Sequence, residues 1–184
     1  MLFGGLINFI LTNMIKLNLG SSDTYLKGYV NIDLYVDDID NRLVDIVDDI
    51  TTLEKTIKTL GLDSVKVDEI YSSHSLMCVP ENKMLDTLKL WRSLLKEEGK
   101  LIIETTDLGK QIDKYNENIR NSEKVIRSLF GNDVRDGNGL RYQFNYYILK
   151  RWLMRAGFKN ITRINQPEHS GHDENFNLIV RAIK

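Results

Sequence analysis

The chain has a single cysteine, Cys78, so no disulfide forms within it, and no cluster of cysteine and histidine has the spacing of a structural zinc site. A reducing compartment suits such a chain. Charge of one sign is also missing: the formal net charge is -1 and the pI is near 6.3. With no excess of lysine and arginine, the electrostatic reason to expect a nucleic-acid partner is gone. Long hydrophobic runs are lacking too. The opening segment MLFGGLINFILTNMI is apolar but short of a bilayer span, and it has neither the basic start nor the small-residue cleavage site of a secretory signal. The expectation is a cytoplasmic protein without a transmembrane segment. Residues 1–14 read as an apolar extension or helix, packed on the domain or on a second subunit, with loose membrane contact as the other reading. An apolar start of this kind is compatible with a homodimer.

What is present suffices for one domain. The 184 residues, 42% of them hydrophobic, can bury a proper core. From Lys16 onward short apolar runs alternate with longer helical patterns, and no repeat or low-complexity linker breaks the alternation. The runs at 15–20, 29–34, 43–50, 67–73 and 100–106 each have strand length. Between the last two, Met84, Leu85, Leu88, Trp91, Leu94 and Leu95 recur at helical spacing, with Gly99 as the stop signal. Residues 107–143 are polar, with weak helical patterns near 112–119 and 125–130, and read as an insertion able to form a lid. A further helix is expected within 144–158. Two closely spaced strands follow at 159–165 and 175–183, suggesting an antiparallel pair at the sheet's end. The expected fold is α/β: a Rossmann-like three-layer sandwich, its seven-stranded sheet mostly parallel with an antiparallel last strand, spanning 15–184.

In an open α/β sheet, ligands lie beyond the carboxyl ends of the strands where connections diverge. Gly20, Asp33, Asp49 and the Ser73–His74 pair all fall at such ends. A glycine just after the first strand lets the backbone pass close to a ligand, since a side chain there would occupy the ligand's volume. An acid ending the second strand can accept both hydroxyls of a ribose. In dinucleotide enzymes a Gly-x-Gly-x-x-Gly turn also cradles a pyrophosphate. Here GSSD holds one glycine, and the interval from Gly20 to Asp33 is shorter than the roughly 20 residues of that fingerprint. A nucleoside without phosphates fits better.

LNLGSSDTYLKGYVNIDL, followed by DIVDDITTL, VDEIYSSHSL, LLKEEGKLIIETTDL and the closing LKRWLMRAGFKNIT, resembles the class I S-adenosylmethionine-dependent methyltransferases. Within them it is similar to small bacterial members often associated with glycan or other small-molecule methylation. The resemblance covers residues 15–184 and lies in the order and spacing of the motifs. It implies S-adenosylmethionine as cofactor, S-adenosylhomocysteine as product and a small-molecule acceptor. The backbone of Gly20 and Ser21 would lie against the methionine part of the cofactor, Asp33 would bind the ribose hydroxyls, and Leu34 would pack near the adenine. Asp49 would accept from the adenine amino group while the Ile50 backbone contacts the ring. Ser72, Ser73 and His74 would close the site beneath the sulfonium. Two departures stand out. Relatives usually carry Gly-Cys-Gly or Gly-x-Gly where this chain has Gly20-Ser21-Ser22, and many read His-x-Leu-Glu-His where it has HSLMC, so that Met77 and Cys78 replace an acid and an imidazole.

Each residue also has a plainer reading. Asp33 reads alternatively as an exposed strand-end carboxylate, and Asp49 as part of a solvated loop, because seven acids fall between 33 and 49. His74 is the first candidate general base, since imidazole titrates near neutrality; a structural histidine is the other reading. His169 is a second candidate and His172 a candidate acceptor contact, both on the connection between the last two strands. HSGHDE falls short of a metal-ligand set, and no metal is expected. Among the aromatics Tyr142 and Tyr146 are expected to meet the acceptor, while Phe144, Tyr147 and Trp152 read as core. The function expected is methyl transfer to a small acceptor, a hydroxyl of a sugar-like molecule. The competing class is a non-catalytic S-adenosylmethionine-binding or protein-interaction module with the same fold. A nucleotide-dependent dehydrogenase is disfavoured by the missing phosphate signature.

Overall fold

The computed structural model describes residues 14–22, 24–35, 44–117, 123–131, 139–165 and 176–184. Seven strands form one sheet: β1 (Lys16–Leu19), β2 (Val30–Asp33), β3 (Ile46–Val47), β4 (Val67–Ser73), β5 (Leu95–Thr106), β6 (Lys159–Arg163) and β7 (Asn177–Ile183), in the order β3-β2-β1-β4-β5-β7-β6. The first five run parallel, and β7 lies antiparallel between β5 and β6. The antiparallel pair expected from the close spacing of the last two strands is there. Because β7 opposes both neighbours, β6 runs with the first five, and its end at Arg163 lies on the same edge of the sheet as Gly20.

Alternate residues of each strand face opposite sides. One side carries Leu17, Leu19, Val30, Ile32, Ile70, Leu101, Ile103, Leu178, Val180 and Ala182, all buried in the main core. Helix α2 (Glu81–Leu94) supplies Met84, Leu88 and Trp91 to this core, and α5 (Tyr146–Arg155) supplies Leu149, Trp152 and Leu153. Asn145 caps α5, its side chain accepting from the Ile148 N–H at 2.9 Å. The other helices are α1 (Glu54–Leu60), α3 (Leu108–Glu117) and α4 (Glu123–Phe130); the last two occupy the segment expected as an insertion. No helix among the described residues is long and apolar enough to cross a membrane.

Two boundaries differ from the sequence reading. Helix α2 ends at Leu94, and Leu95 is already extended and pairs with Val67. Gly99 therefore does not stop the helix: it lies within β5, at the bulge between the Val67–Leu95 and Glu69–Lys100 pairs, where a Cβ would lie 2.8 Å from the Lys96 carbonyl oxygen. The third strand, expected over 43–50, is two residues long, because Asp45, Asp48 and Asp49 flank it with side chains bonded to backbone amides.

The opposite side of the sheet is polar where β1, β2 and β4 meet. Asn18 is in register with both Asn31 and Tyr71, and all three are buried. Parallel strands usually need a crossover of about a dozen residues or more, most often a helix, yet none of the described residues between Gly20 and Tyr29 is helical. Buried amides hold this coil in place. Asn31 Oδ1 accepts from Asn18 Nδ2 (2.9 Å) and from the Leu26 N–H (2.8 Å). Asn31 Nδ2 reaches the Leu26 carbonyl and Asp45 Oδ2, and Asn18 Nδ2 donates to the Thr24 carbonyl at 2.7 Å. Leu26 and Tyr29 then pack on Tyr71 and Ile102.

Candidate functional site

At the end of β1 the chain turns sharply against β2. Gly20 has φ 72°, and the N–H groups of Gly20 and Ser21 both donate to the Ile32 carbonyl, at 2.8 and 3.0 Å. A side chain at Gly20 would meet protein first: an ideal Cβ there lies 2.2 Å from Ser75 Cβ and 2.7 Å from Ser75 Oγ. The reason for glycine given from the sequence, clearance for a ligand, is thus joined by a second, clearance for Ser75. Ser21 is buried, and its Oγ has no hydrogen-bond partner among the described residues.

Asp33 closes β2 and does not stand free in solvent. Its Oδ2 accepts from the Ser22 N–H at 2.7 Å and its Oδ1 from the Tyr35 N–H at 3.0 Å, tying the glycine turn to the second strand. Each oxygen has two acceptor sites, so capacity for further donors remains. Leu34, next in the chain, is exposed.

Beyond β3 the acids have local work. Asp48 Oδ2 accepts from the Thr56 N–H of α1 at 2.7 Å, and Asp49 Oδ1 from the Thr51 N–H at 2.8 Å. The Ile50 carbonyl is fixed by Trp91 Nε1 at 2.8 Å, so the core tryptophan of α2 also sets the position of this loop.

Strand β4 ends in the turn that carries His74. Ser72 Oγ and Ser75 Oγ are 2.6 Å apart, and Ser75 Oγ donates to the Leu19 carbonyl at 2.8 Å. The His74 N–H donates to the Glu104 carbonyl, and its φ is 52°, a left-handed conformation costing about 1–3 kcal/mol in a residue other than glycine. Ser22 (φ 43°) and Leu53 (φ 52°) share it. These three strained residues follow β1, β3 and β4, on the same edge of the sheet.

A 3₁₀ turn, Leu76–Cys78, follows. Met77 is core, with Thr105 Oγ1 donating to its sulfur at 3.7 Å. Its carbonyl accepts from the N–H groups of Arg141 and Tyr142, at 2.8 and 3.0 Å, which docks the end of the insertion beside the site. Burial, then the Asp33 carboxylate, push the Cys78 thiol above its ordinary range, and Arg141 partly offsets them. The thiol therefore feels both the β2 acid and the insertion. Cys78 is expected to react with iodoacetamide more slowly than glutathione does at neutral pH, accelerating only above the usual thiol range; a rate equal to that of glutathione would contradict this placement.

Sequence reasoning missed Ser75 and Glu104. Glu104 is fully buried in β5 and accepts from Tyr71 Oη at 2.8 Å and from Asn177 Nδ2 at 2.5 Å. Burial first, then Glu104, hold the Tyr71 hydroxyl protonated far above its usual range. A lone acid inside KLIIETT was the signal available. Ser75 left no signal, because its significance lies in contacts with Leu19 and Gly20.

Among the aromatic residues one, Tyr147, departs from expectation. Tyr142 is partly buried, its ring packed on Phe144 (5.1 Å between centroids) and Trp152 (6.2 Å), while its backbone docks on Met77. Tyr146 donates to the Ile161 carbonyl of β6 at 3.1 Å. That strand stands three places from β4, about 14 Å at the usual strand spacing. Phe144 and Trp152 are buried as expected, but Tyr147 is 76% exposed. His169 and His172 lie outside the described residues.

No protein-family model and no curated protein sequence matches the chain. Solved structures do. An S-adenosylmethionine-dependent methyltransferase from Archaeoglobus fulgidus superposes with a TM-score of 0.58 at 13% identity, over 99% of this chain and 91% of the other. The CcbJ methyltransferase from Streptomyces caelestis gives 0.60 at 12% identity, over 98% and 92%. Magnesium protoporphyrin IX methyltransferase (ChlM) from Synechocystis PCC 6803, solved with bound S-adenosylhomocysteine, gives 0.52 at 12% identity, over 100% and 82%. The chain thus has the Rossmann-like fold shared by these methyltransferases.

Proposed function

We propose that the protein is a methyltransferase that binds S-adenosylmethionine across the ends of β1, β2 and β3 and passes its methyl group to a small acceptor. The observation that carries this reading is the topological switch between β1 and β4, where successive connections run toward opposite edges of the sheet and a ligand crevice opens. The residues there fit the cofactor. Ser21 Oγ is buried without a partner among the described residues, in the turn assigned to the amino-acid end, and Asp33 keeps acceptor capacity for two ribose hydroxyls. Asp49 and the Ile50 backbone lie on the next loop, where adenine would extend past Leu34.

The cofactor supplies an electrophilic methyl group on a sulfonium, and the protein's part is to hold the acceptor in line with it. Holding the partners in that geometry supplies much of the acceleration. Ser72, Ser73 and His74 form the floor at the end of β4, and His74 is the group assigned to take the acceptor's proton. The lid over the acceptor is assigned to the segment 107–143, whose described end is anchored by Arg141 and Tyr142 on the Met77 carbonyl. Resemblance alone supports a sugar-like hydroxyl as the acceptor. The lone thiol fits a cytoplasmic enzyme.

Met77 in the core and a protonated Cys78, where many relatives have an acid and an imidazole, favour the second reading: a module that binds the cofactor without turnover. Calorimetric titration with S-adenosylmethionine, S-adenosylhomocysteine and NAD tests the first step. Binding of the first two alone is expected; binding of NAD, or of none, would overturn the proposal. Release of S-adenosylhomocysteine in a screen of hydroxylated acceptors then separates enzyme from module.

A further inference from the structure

We propose that Ser75 is the positioning residue that sets the cofactor turn, and that glycine is required at position 20 because Ser75 fills the space a side chain would take. The inference rests on the cofactor site proposed above and goes beyond it, because it assigns the shape of that site to a contact within the protein. Ser75 bridges the two halves of the crevice. Its hydroxyl lies 2.8 Å from the Leu19 carbonyl at the end of β1 and 2.6 Å from Ser72 Oγ at the end of β4. Its Cβ lies 2.2 Å from the ideal Cβ position of Gly20, whereas its Cα lies at 3.6 Å, an ordinary contact distance. The serine is thus wedged behind the glycine turn. One neighbour in sequence is His74, the proposed proton acceptor, and on the far side the turn continues into Ser21 and the Ser22–Asp33 bond. A single side chain therefore fixes the spacing between the turn assigned to the amino-acid end of the cofactor and the turn assigned to the proton acceptor.

This geometry makes positions 20 and 75 non-additive. Gly20→Ala introduces a Cβ that cannot coexist with the Ser75 side chain and is expected to weaken S-adenosylhomocysteine binding by about 1,000-fold, about 100-fold from the overpacking and about 10-fold from the left-handed backbone. Ser75→Gly removes Cβ and Oγ, and the lost anchoring is expected to cost about 10-fold. The double variant Gly20→Ala/Ser75→Gly has room for the new methyl group and is expected to bind more tightly than Gly20→Ala alone, with only the left-handed backbone strain of about 10-fold left from that change. Gly20→Ala/Ser75→Ala keeps the clashing Cβ and is expected to show no rescue. Where Gly20→Ala does not fold, recovery of a folded chain by Ser75→Gly but not by Ser75→Ala is the same result.

Ser75→Ala by itself gives a readout that a merely structural role would not move. It is expected to weaken S-adenosylhomocysteine about 10-fold while leaving methylthioadenosine, which lacks the amino-acid end, within about twofold of wild type. Calorimetry on the wild type and these variants decides the matter. Failure of the wild type to bind S-adenosylhomocysteine overturns the functional reading itself. Wild-type binding with an additive cycle, or with both ligands weakened equally by Ser75→Ala, overturns the assignment of Ser75.

Discussion

Asp33→Ala is expected to lower affinity for S-adenosylhomocysteine by about 10- to 100-fold. A charged acceptor bonded to a ligand hydroxyl contributes about 1.5–3 kcal/mol, and each 1.4 kcal/mol is tenfold in the dissociation constant. The carboxylate has a second task, since it holds the Ser22 N–H and so the outer part of the glycine turn. Ser22 is exposed, so water can replace that bond, and the loss should fall on binding far more than on folding. Asp33→Asn separates the two tasks. Its amide oxygen can still accept from Ser22, while its nitrogen, in place of Oδ1, gives up the Tyr35 N–H to water and offers a donor where the ribose needs an acceptor. Calorimetry on Asp33→Asn should therefore show a loss approaching that of Asp33→Ala, with a melting temperature close to wild type. Binding within twofold of wild type for both variants would remove Asp33 from the site.

The largest effect on stability is expected at Asn31. Its buried side chain binds Asn18, both backbone groups of Leu26 and Asp45, and these contacts hold the coil that replaces a crossover helix. Asn31→Leu is close in size but leaves the Leu26 N–H and the Asn18 amide without their acceptor. Each buried polar group left unpaired costs about 1–3 kcal/mol, so a loss of about 3 kcal/mol or more is expected. For a chain of this size that lowers the melting temperature by about 6–12 °C. The glycine turn belongs to the same coil, so S-adenosylhomocysteine affinity should fall with it. A melting temperature within about 2 °C of wild type would show that the coil is held by the packing of Leu26 and Tyr29 instead.

Much of the fold was legible because its signals are local. Alternating apolar positions in LNL and VNID give strands, and the spacing of Met84, Leu88 and Trp91 gives a helix whose apolar stripe faces the sheet. Where the reading slipped, the cause was non-local. Leu94 and Leu95 continue the helical spacing, yet the chain leaves the helix between them because Leu95 pairs with Val67 across the sheet. Tyr146 and Tyr147 are adjacent on one helix. Which of them is half-buried and bonded to β6 depends on how that helix is turned against its neighbours, and sequence spacing alone does not carry that rotation.

The candidate site divides in the same way. Gly20, Asp33, Asp49 and His74 could be picked out because each ends a recognisable strand, and strand ends on one edge of a parallel sheet come together whatever the loops do. That much the sequence determined by itself, through the period of its apolar residues and the chemistry of those that interrupt it. The tertiary structure decided how those residues are held: Ser75 against Gly20, Trp91 on the Ile50 carbonyl, Asn31 beneath the β1–β2 coil, and Met77 turned into the core while its carbonyl receives the insertion. Each of these contacts joins separate elements of the chain. Its strength depends on distance and burial in the folded state, which local patterns of residues do not encode.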